Sequence, residues 1–451
     1  ADDRGANLAT LGAILLFGMT VTELRHTPAP PTGTPGEYEI VVRERLSERE
    51  GKTASGTTIR ARRNSATGEW LPAAGNLVVR CDSSTALNPG DRAVVRGKIY
   101  PFTARHGGYG RLMTRRGYVG TLYLNRSSLL LSDTLHRELS PKHLSLFLHE
   151  RAVARLDRLA LAPDEQALCN AMTAGDRRSL SPALRAAYSR SGTSHLLAVS
   201  GLHVGIVFLL ANLLLWWLPL FRHGHILRNI AVILLIWLYA ATTGFPPSVV
   251  RAALMFSVLQ FALASSSEYV GMNTLAGVAF VMLLFHPDYL FDISFQLSFI
   301  AVAGIIAWGL PLCRLLRTRR KSIDMLTATL AIGFSASAAT APLISHTFGQ
   351  ISVVGLALNP VVILLSYVVV GSCTLWLVIP GTVLAPLFSD VAGFAARAQN
   401  ELIRAAAALP AAALDIRLTT TQCWIVYGLF IFATLLLWSA ERKKSVSSLP
   451  E

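Results

Sequence analysis

The sequence predicts a mostly α-helical, polytopic integral membrane protein with a small OB-like β-barrel domain in its N-terminal third. Three observations lead to this fold class. Hydrophobic residues make up 52% of the 451 residues, more than in an average soluble enzyme. Beyond His195 they form repeated runs near the roughly 20 residues that cross a bilayer. Residues 37–131 instead contain short β-rich runs separated by Gly, Pro, Asn and Asp.

The chain opens with one apolar segment and a linker. Residues 6–24 are apolar enough for an N-terminal transmembrane helix, and residues 25–36 form a Pro/Gly linker that cannot be helical. Ala1 stands where a methionine would start a chain, and Asp2 and Asp3 precede the apolar segment, which makes a poor signal peptide. We expect the upstream end to be missing or trimmed.

Residues 37–131 predict an OB-like barrel, since they hold about five strands in a short stretch. Their sixteen cations outnumber their eight anions, and aromatic residues lie between the charges. Single-strand binding needs a basic groove with aromatic faces for stacking, so we predict single-stranded DNA as a partner. An ordinary solvated β-surface with core aromatics is the alternative. The predicted DNA-binding residues are Arg96, Lys98, Tyr109, Arg111, Arg115 and Arg116.

Residues 140–192 change to a helical period and predict amphipathic helices. Arg151, Arg155 and Arg158 recur along one side, with leucines on the other. A helix lying in the membrane interface fits this pattern, and a stripe that guides DNA is the alternative.

Residues 193–440 predict a transmembrane core of about seven to nine membrane segments. Basic loops around residues 222–228 and 314–321 fall on the same side when the spans alternate, and the positive-inside rule makes that side cytoplasmic. The barrel domain would then be extracytoplasmic. The basic cluster after Glu441 also favours the cytoplasm, which conflicts with simple alternation unless residues 351–380 are re-entrant. The spans expected are 195–218, 227–243, 247–264, 270–286, 293–312, 323–343, 351–379 and 423–439, with residues 382–418 as an interfacial or partly re-entrant helix.

Polar residues within these apolar runs are the candidates for a polar path through the core, because lipid cannot hydrogen-bond them. Gly201 and Gly205 would let another helix or a strand of substrate approach closely. We expect Asp292 to pair with Arg251 or another buried cation, and Gln296 to face a polar interior. A strip at Ser335, Ser337 and Thr340 suits close packing or a path lining. The candidate residues of the core are His195, Ser200, Gly201, His203, Gly205, Arg251, Asp292, Gln296 and Asn359.

Ser200 and His203 also permit a second hypothesis, an intramembrane hydrolase. They stand three residues apart and can share a helix face. Against this, no carboxylate is near in sequence to orient the base, and the string Ala-Val-Ser-Gly-Leu is not a nucleophile elbow. Structural use of these groups in joining discontinuous helices is preferred. A transporter of a small anion or a lipid-linked polyanion is a third hypothesis.

Four ordered motifs resemble the ComEC competence family of bacterial inner-membrane proteins. The first is GDRRSLSPALRAAYSRSGTSHLLAVSGLHVGIV from Gly175. It is followed by GFPPSVVRAALMF from Gly244, HPDYLFDISFQLSFIAVAGI from His286 and APLISHTFGQISVVGLALNP from Ala341. The resemblance implies a channel that passes single-stranded DNA into the cytoplasm during transformation. It also implies other competence proteins as partners: a DNA receptor, a cytoplasmic helicase or translocase, and a separate nuclease.

Two chemical motifs are missing from the sequence. Many members of the family carry a metallo-β-lactamase-like nuclease domain, but no His-x-His-x-Asp-His string occurs here, and no P-loop occurs either. The five cysteines are scattered without a Cys-x-x-Cys pair. We therefore expect no metal, no cofactor and no enzymatic activity in this polypeptide.

Overall fold

The computed structural model divides into two compact units, residues 1–147 with 282–291 and residues 148–281 with 292–451. The segment 6–24 and residues 25–32 of the linker lie outside the described residues, and the predicted linker's last two residues, 35–36, belong to the first strand. The structure describes residues 33–49, 52–64, 67–82, 85, 87, 90–102, 110, 113–114, 117–133, 141–265, 271–352, 354–379, 383–409 and 412–447.

The predicted barrel is present as a closed five-stranded barrel with one added strand. Its strands follow the order β1-β2-β3-β5-β4-β6, and a further β1–β4 pairing closes the ring. Only the β3–β5 pairing is parallel. The strands are β1 Pro35–Arg49, β2 Lys52–Arg63, β3 Trp70–Asp82, β4 Arg92–Pro101, β5 Tyr118–Leu124 and β6 Leu129–Asp133.

Strict alternation explains why these residues close a barrel. In β4 the side chains of Ala93, Val95 and Ile99 are buried, whereas those of Arg96, Lys98 and Tyr100 face outward. Gly97 also takes an inward position, where an added Cβ would lie 2.7 Å from Leu122 Cδ1. Each buried aliphatic side chain of this kind contributes about 1.5–3 kcal/mol through the hydrophobic effect. The outward residues are therefore free to serve binding.

The rest of the described chain is helical, apart from a two-stranded pairing of β7 Ile351–Ser352 with β8 Ala413–Leu414. A π-helical turn, Ile305–Gly309, joins α8 to α9. The helices are α1 Pro141–Leu156, α2 Pro163–Thr173, α3 Pro182–Arg190, α4 Gly201–Leu214, α5 Gly224–Thr242, α6 Pro247–Ser265, α7 Gly271–Phe285, α8 Ile293–Gly304, α9 Leu310–Leu315, α10 Lys321–Phe348, α11 Val354–Val378, α12 Ala385–Ala407 and α13 Thr420–Ser447.

Within the described residues, five helical segments are long and apolar enough to cross a membrane. They are Gly201–Leu220, Gly224–Thr242, Ile293–Leu315, Ile323–Phe348 and Ala357–Val378. Three shorter apolar helices, Pro247–Leu263, Gly271–Phe285 and Thr420–Thr434, fall in the other three predicted spans. The described chain therefore has the architecture of a polytopic membrane protein, and the exact number of membrane segments stays a prediction.

α11 and α12 form a hairpin that returns the chain to its starting point. The β7–β8 pairing joins the residues just before α11 to those just after α12. α13 then runs back along α10, since Ser345 Oγ donates to the Ile416 carbonyl at 2.6 Å and Tyr427 OH to the Ala339 carbonyl at 3.2 Å. The end of α13 therefore lies at the same end of the bundle as the basic loop 314–321. This geometry removes the conflict that simple alternation raised.

The predicted basic stripe on α1 is wrong at Arg155, which contacts another helix. Its guanidinium lies 4.9 Å over the Trp376 ring, and its Nε donates to the Trp376 carbonyl at 3.0 Å. It also donates to the Ile379 carbonyl. A cation at this position satisfies the last carbonyls of α11 and the negative end of its dipole. Arg155 is thus a helix cap, whereas Arg151 and Arg158 are exposed.

Candidate functional site

The outward face of the barrel carries a surface of cations and aromatic rings. Arg96, Lys98 and Tyr100 are the successive outward residues of β4. Tyr100 is 47% exposed and Tyr123 of β5 is 52% exposed, and their ring centroids lie 5.8 Å apart in an edge-to-face contact. Lys98 Nζ lies 5.6 Å from the Tyr100 centroid. We call Lys98, Tyr100 and Tyr123 the stacking patch.

A further exposed cation lies next to the stacking patch on a third strand. Arg80 of β3 is exposed and pairs in register with Tyr123 of β5. Two exposed rings with flanking cations offer stacking faces and phosphate attraction together, which is what sequence-independent single-strand binding uses. The arrangement suits a single strand better than a duplex, because the bases of a duplex are already stacked on one another.

Arg96 is held by a carboxylate on the neighbouring strand. Its Nε donates to Glu37 Oε1 at 3.0 Å, and Arg63 Nη1 donates to Glu37 Oε2 at 3.0 Å. Hydrogen bonds from Arg96 and then Arg63 lower the pKa of Glu37 below its ordinary value. The Glu37 carboxylate therefore partly neutralises the charge of Arg96, whereas Lys98 lies directly beside the ring of Tyr100.

The structure leaves most of the predicted DNA-binding set untested. Tyr109, Arg111, Arg115 and Arg116 lie outside the described residues. Two other aromatic residues of this domain are buried: Tyr38 lies in the barrel core, and Tyr118 lies in a separate small cluster with Ala54, Val78 and Met113. The alternation of β4 is the signal that separates surface rings from core rings. Tyr100 and Tyr123 are among the aromatic residues that the sequence interleaves with the cations, but the predicted DNA-binding set includes neither of them.

In the membrane unit, Ser200 and His203 close the N-terminal end of α4. Ser200 is the N-cap residue, and the two residues form a capping box. The Ser200 backbone N–H donates to His203 Nδ1 at 3.0 Å, whereas Ser200 Oγ lies 3.5 Å from the same nitrogen. A ring nitrogen that already accepts a backbone N–H is not free to take the serine proton. The geometry favours the structural interpretation over the hydrolase.

Gly201 and Gly205 give α6 the close approach that their spacing predicts. A Cβ on Gly205 would lie 3.3 Å from the Phe256 ring, and one on Gly201 would lie 3.0 Å from Arg251 Nη2. His203 lies two residues further along α4 and so faces away from this contact. It is fully buried, and its Nε2 has no hydrogen-bond partner. His195 is exposed in the turn Ser194–Leu197, whose two leucines are buried.

Arg251 is buried and has no acidic partner among the described side chains, which corrects the predicted pairing with Asp292. Arg251 is 6% exposed, its Nη1 donates to the Ser298 carbonyl at 3.1 Å, and its guanidinium lies 5.7 Å from the Phe299 centroid. Asp292 instead caps α8, accepting from the N–H of Ser294 at 2.7 Å. It stands six residues before Ser298, about 9 Å along the helix axis, so the local backbone satisfies it first.

The remaining polar candidates lie on three other helices. Gln296 is partly buried in α8, and Asn359 of α11 has a buried Oδ1 without a partner. Ser335 of α10 is 1% exposed and donates to the Ala331 carbonyl of its own helix at 2.8 Å. It faces α8, where a Cβ on Gly304 would come within 2.5 Å of Ala339 Cβ. Here the small residues make a close helix contact instead of lining a path.

Sequence reasoning missed a polar network between α12 and the helices α2 and α3. Tyr188 OH donates to Asn400 Oδ1 at 3.1 Å, and Gln399 Nε2 donates to Tyr188 OH at 3.3 Å. An ion pair joins Arg397 to Glu165 at 2.7 Å. The polar residues of an alanine-rich helix were the available signal. Their partners lie more than 200 residues away, so no local pattern identifies them.

No group of three or more His, Cys, Asp or Glu side chains that could hold a metal ion occurs within the described part of the chain.

The sequence model of a family described as competence protein matches residues 172–443, more than half of the chain. ComE operon protein 3 of Bacillus subtilis (strain 168) is 32% identical over 204 residues, covering 44% of this chain and 24% of that protein. An uncharacterized protein of Aquifex aeolicus (strain VF5) is 29% identical over 201 residues, 44% of this chain and 45% of that protein. These matches thus span less than half the length of either relative. The comparison with solved structures gave no significant match.

Proposed function

The chain belongs to the competence protein family, and on that premise we propose that it takes up single-stranded DNA across the inner (cytoplasmic) membrane of a bacterium during natural transformation. The OB-like barrel would receive the strand, and the membrane unit would conduct it. The observation that carries this proposal is the stacking patch, since two exposed rings and a lysine stand together on the outside of a closed barrel.

The chemistry of the patch fits a substrate of arbitrary sequence. Phosphate attraction by cations gives affinity without reading bases, and every base has a face that can stack on a tyrosine. Transforming DNA needs this kind of handling. The formal net charge of +14 for the whole chain supports a polyanionic partner, although part of it serves the cytoplasmic bias of membrane loops.

The polar residues of the membrane unit would supply the path. The candidates in this proposal are His195, Gln296 and Asn359, with Ser200 and His203 capping α4 beside the path and Gly201 and Gly205 setting the helix spacing. Strand separation and energy would come from partner proteins of the competence system: a DNA receptor, a cytoplasmic helicase or translocase, and a separate nuclease.

The orientation follows from the basic ends of the bundle. Because the α11–α12 hairpin returns to its start, the basic end of α13 and the loop 314–321 share one end of the bundle. The positive-inside rule assigns that end to the cytoplasm, and the barrel to the extracytoplasmic side. A reporter that is active only in the cytoplasm should therefore work when inserted after residue 444 and fail when inserted in the barrel turn at residues 126–128. Activity at both positions would refute this orientation.

The test of the function is DNA binding by the full chain in lipid nanodiscs. Labelled single-stranded and duplex oligonucleotides are titrated across a salt series. We expect a preference for the single strand and an affinity that falls steeply as salt rises. Lys98→Ala should flatten the salt slope by about 0.7, the contribution of one phosphate contact on a single strand. Arg126→Ala, an exposed arginine in a turn, is the matched control and should leave the slope unchanged.

Absence of binding at low salt, or equal binding of single strand and duplex, would contradict DNA reception by the barrel. Strong competition by a nucleotide or sugar phosphate, but not by DNA, would favour the small-anion transporter instead.

A further inference from the structure

We propose that Arg251 is the centre of an anion site in the membrane unit, which binds one phosphate-class oxyanion between its guanidinium and the first turn of α4. The inference deepens the proposed function and rests on it for the source of the phosphate, the backbone of the translocating strand. The site itself is argued from the charges and contacts of this unit alone.

The free edge of the guanidinium is the first observation. Arg251 is 6% exposed, and its Nη1 is used by the Ser298 carbonyl. Its Nε is buried and has no hydrogen-bond partner. Nε and Nη2 form the side of the guanidinium that binds an oxyanion with two parallel hydrogen bonds. Nη2 lies beside Gly201, at 3.0 Å from the position of an added Cβ. The edge suited to a phosphate is therefore the edge left unused.

The sign of the neighbouring helix end is the second observation. Gly201 is the first residue of α4, and although the capping box satisfies the N–H groups of Ser200 and His203, the helix dipole still gives this end a partial positive charge. Two other helix ends in this unit follow the normal rule. The Asp292 carboxylate lies at the N-terminal end of α8, and the Arg155 guanidinium lies at the C-terminal end of α11. At α4 a cation meets a positive end, and an anion between them would satisfy both.

The chain supplies little that could neutralise this charge. Between Asp176 and Asp292 the sequence contains only two acidic residues, Glu268 and Asp288. Asp292 is engaged by the N-terminal N–H groups of its own helix. Within the described side chains Arg251 has no counter-charge, and a buried cation of this kind is costly in a low-dielectric setting, so its retention points to a ligand. Gly201 leaves the approach to Nη2 free of a side chain.

The test compares thermal unfolding of the full chain and of Arg251→Met in nanodiscs of a zwitterionic lipid. Methionine fills a similar volume without the charge. Without added anion, we expect Arg251→Met to unfold at a higher temperature than the parent by about 2–4 °C. Inorganic phosphate should raise the melting temperature of the parent by about 2–5 °C and leave that of Arg251→Met unchanged.

Two variants serve as controls. Arg228→Gln changes another arginine of the unit, whose Nη2 donates to Asn212 Oδ1 at 2.9 Å, and should keep the phosphate response. Arg251→Lys keeps the charge but loses the fork, so its phosphate response should be reduced. If Arg251→Met unfolds at a lower temperature and phosphate still stabilises it, Arg251 is a structural contact and the inference fails.

A further arm replaces the zwitterionic lipid with an anionic one. If the Arg251-dependent stabilisation occurs only in anionic discs and free phosphate has no effect, the ligand is a lipid headgroup, which overturns the assignment to DNA. We expect phosphate and a short single-stranded oligonucleotide to act in both lipids.

Uptake separates this inference from the proposed function. Arg251→Met should lower transformation at least about tenfold, while oligonucleotide binding by the full chain stays within about twofold. If Arg251→Met transforms as well as the parent, the inference fails and the proposed function stands. If the parent itself takes up no DNA but shows the Arg251-dependent phosphate response, the proposed function fails and the anion site stands.

Discussion

The barrel and the membrane unit use polar side chains in opposite ways. The barrel buries aliphatic residues and turns its cations and two tyrosines outward, where a ligand can reach them. The membrane unit buries polar groups and satisfies several of them within the chain, as at the capping box of α4 and the cap of α8. A polar residue is thus a binding candidate in the barrel by its exposure. In the membrane unit, a polar residue is a binding candidate only when some of its donors or acceptors have no hydrogen-bond partner within the described residues.

The largest expected effect tests the barrel half of this comparison. Replacing Tyr100 and Tyr123 together by alanine should weaken single-strand binding at least about tenfold, because each lost stacking contact costs about 1–3 kcal/mol. Both rings are about half exposed, so the barrel should stay folded. Titration with a labelled oligonucleotide measures the change.

Trp70→Ala is the matched control for this pair. Trp70 is 43% exposed and lies at the start of β3, outside the stacking patch. Its loss should change affinity less than twofold. An equal loss in the control and the double variant would mean that exposed rings act without regard to their position.

A second prediction tests close packing in the membrane unit. Gly304→Ala should lower the melting temperature of the detergent-solubilised protein, because the new Cβ would come within 2.5 Å of Ala339 Cβ. Overpacking of this kind costs about 1–3 kcal/mol. Gly333→Ala, in a helix position where a Cβ meets nothing within 4 Å, is the control and should not destabilise the protein. A Gly304→Ala protein as stable as the parent would argue that α8 and α10 can separate, as a path between them requires.

A third prediction distinguishes a helix cap from a nucleophile at Ser200. Ser200→Ala should cost about 1 kcal/mol of stability, whereas Ser200→Gly should cost only a few tenths, since glycine is a tolerated N-cap. Neither variant should abolish DNA uptake. Loss of uptake in a stably folded Ser200→Gly protein would restore the hydrolase hypothesis.

The smallest expected effect concerns Glu37, which competes with phosphate for Arg96. Glu37→Gln should strengthen oligonucleotide binding about two- to threefold, because one arginine charge is released. The lowered pKa of Glu37 means that its carboxylate stabilises the fold above the unfolded-state pKa, and that this contribution is lost as the pH falls through the folded-state pKa. Parent binding should therefore rise on acidification below the ordinary range of a glutamate, and Glu37→Gln should lack that component. An identical pH profile in both proteins would contradict the competition.

The sequence predicted what depends on local period and composition. The β-rich runs between turn residues, the apolar runs and the spacing of Gly201 and Gly205 all led to the correct elements or contacts. The two errors share one cause, which is that a charge was assigned without knowledge of nearby backbone. Asp292 was satisfied by the next turn of its own helix, and Arg155 by carbonyls some 220 residues away. Every residue has the same backbone N–H and C=O groups, so a pattern of side chains in the sequence does not show which of these groups will bind a charged side chain.

The α11–α12 hairpin leaves and rejoins the bundle through paired strands that neighbour each other at about 5 Å. Residues 354–412 thus leave the strand pair and return to it, so their two ends lie on the same side of the bundle. The hairpin crosses the membrane either twice or not at all, because it returns to the side from which it started. The chain is therefore on the same side of the membrane before and after the hairpin. Lengthening or shortening this excursion by whole helical turns would leave α13 facing the same way. A count of apolar segments alone would assign opposite orientations of α13 to the longer and the shorter variant. The β7–β8 pairing predicts the same orientation of α13 in both.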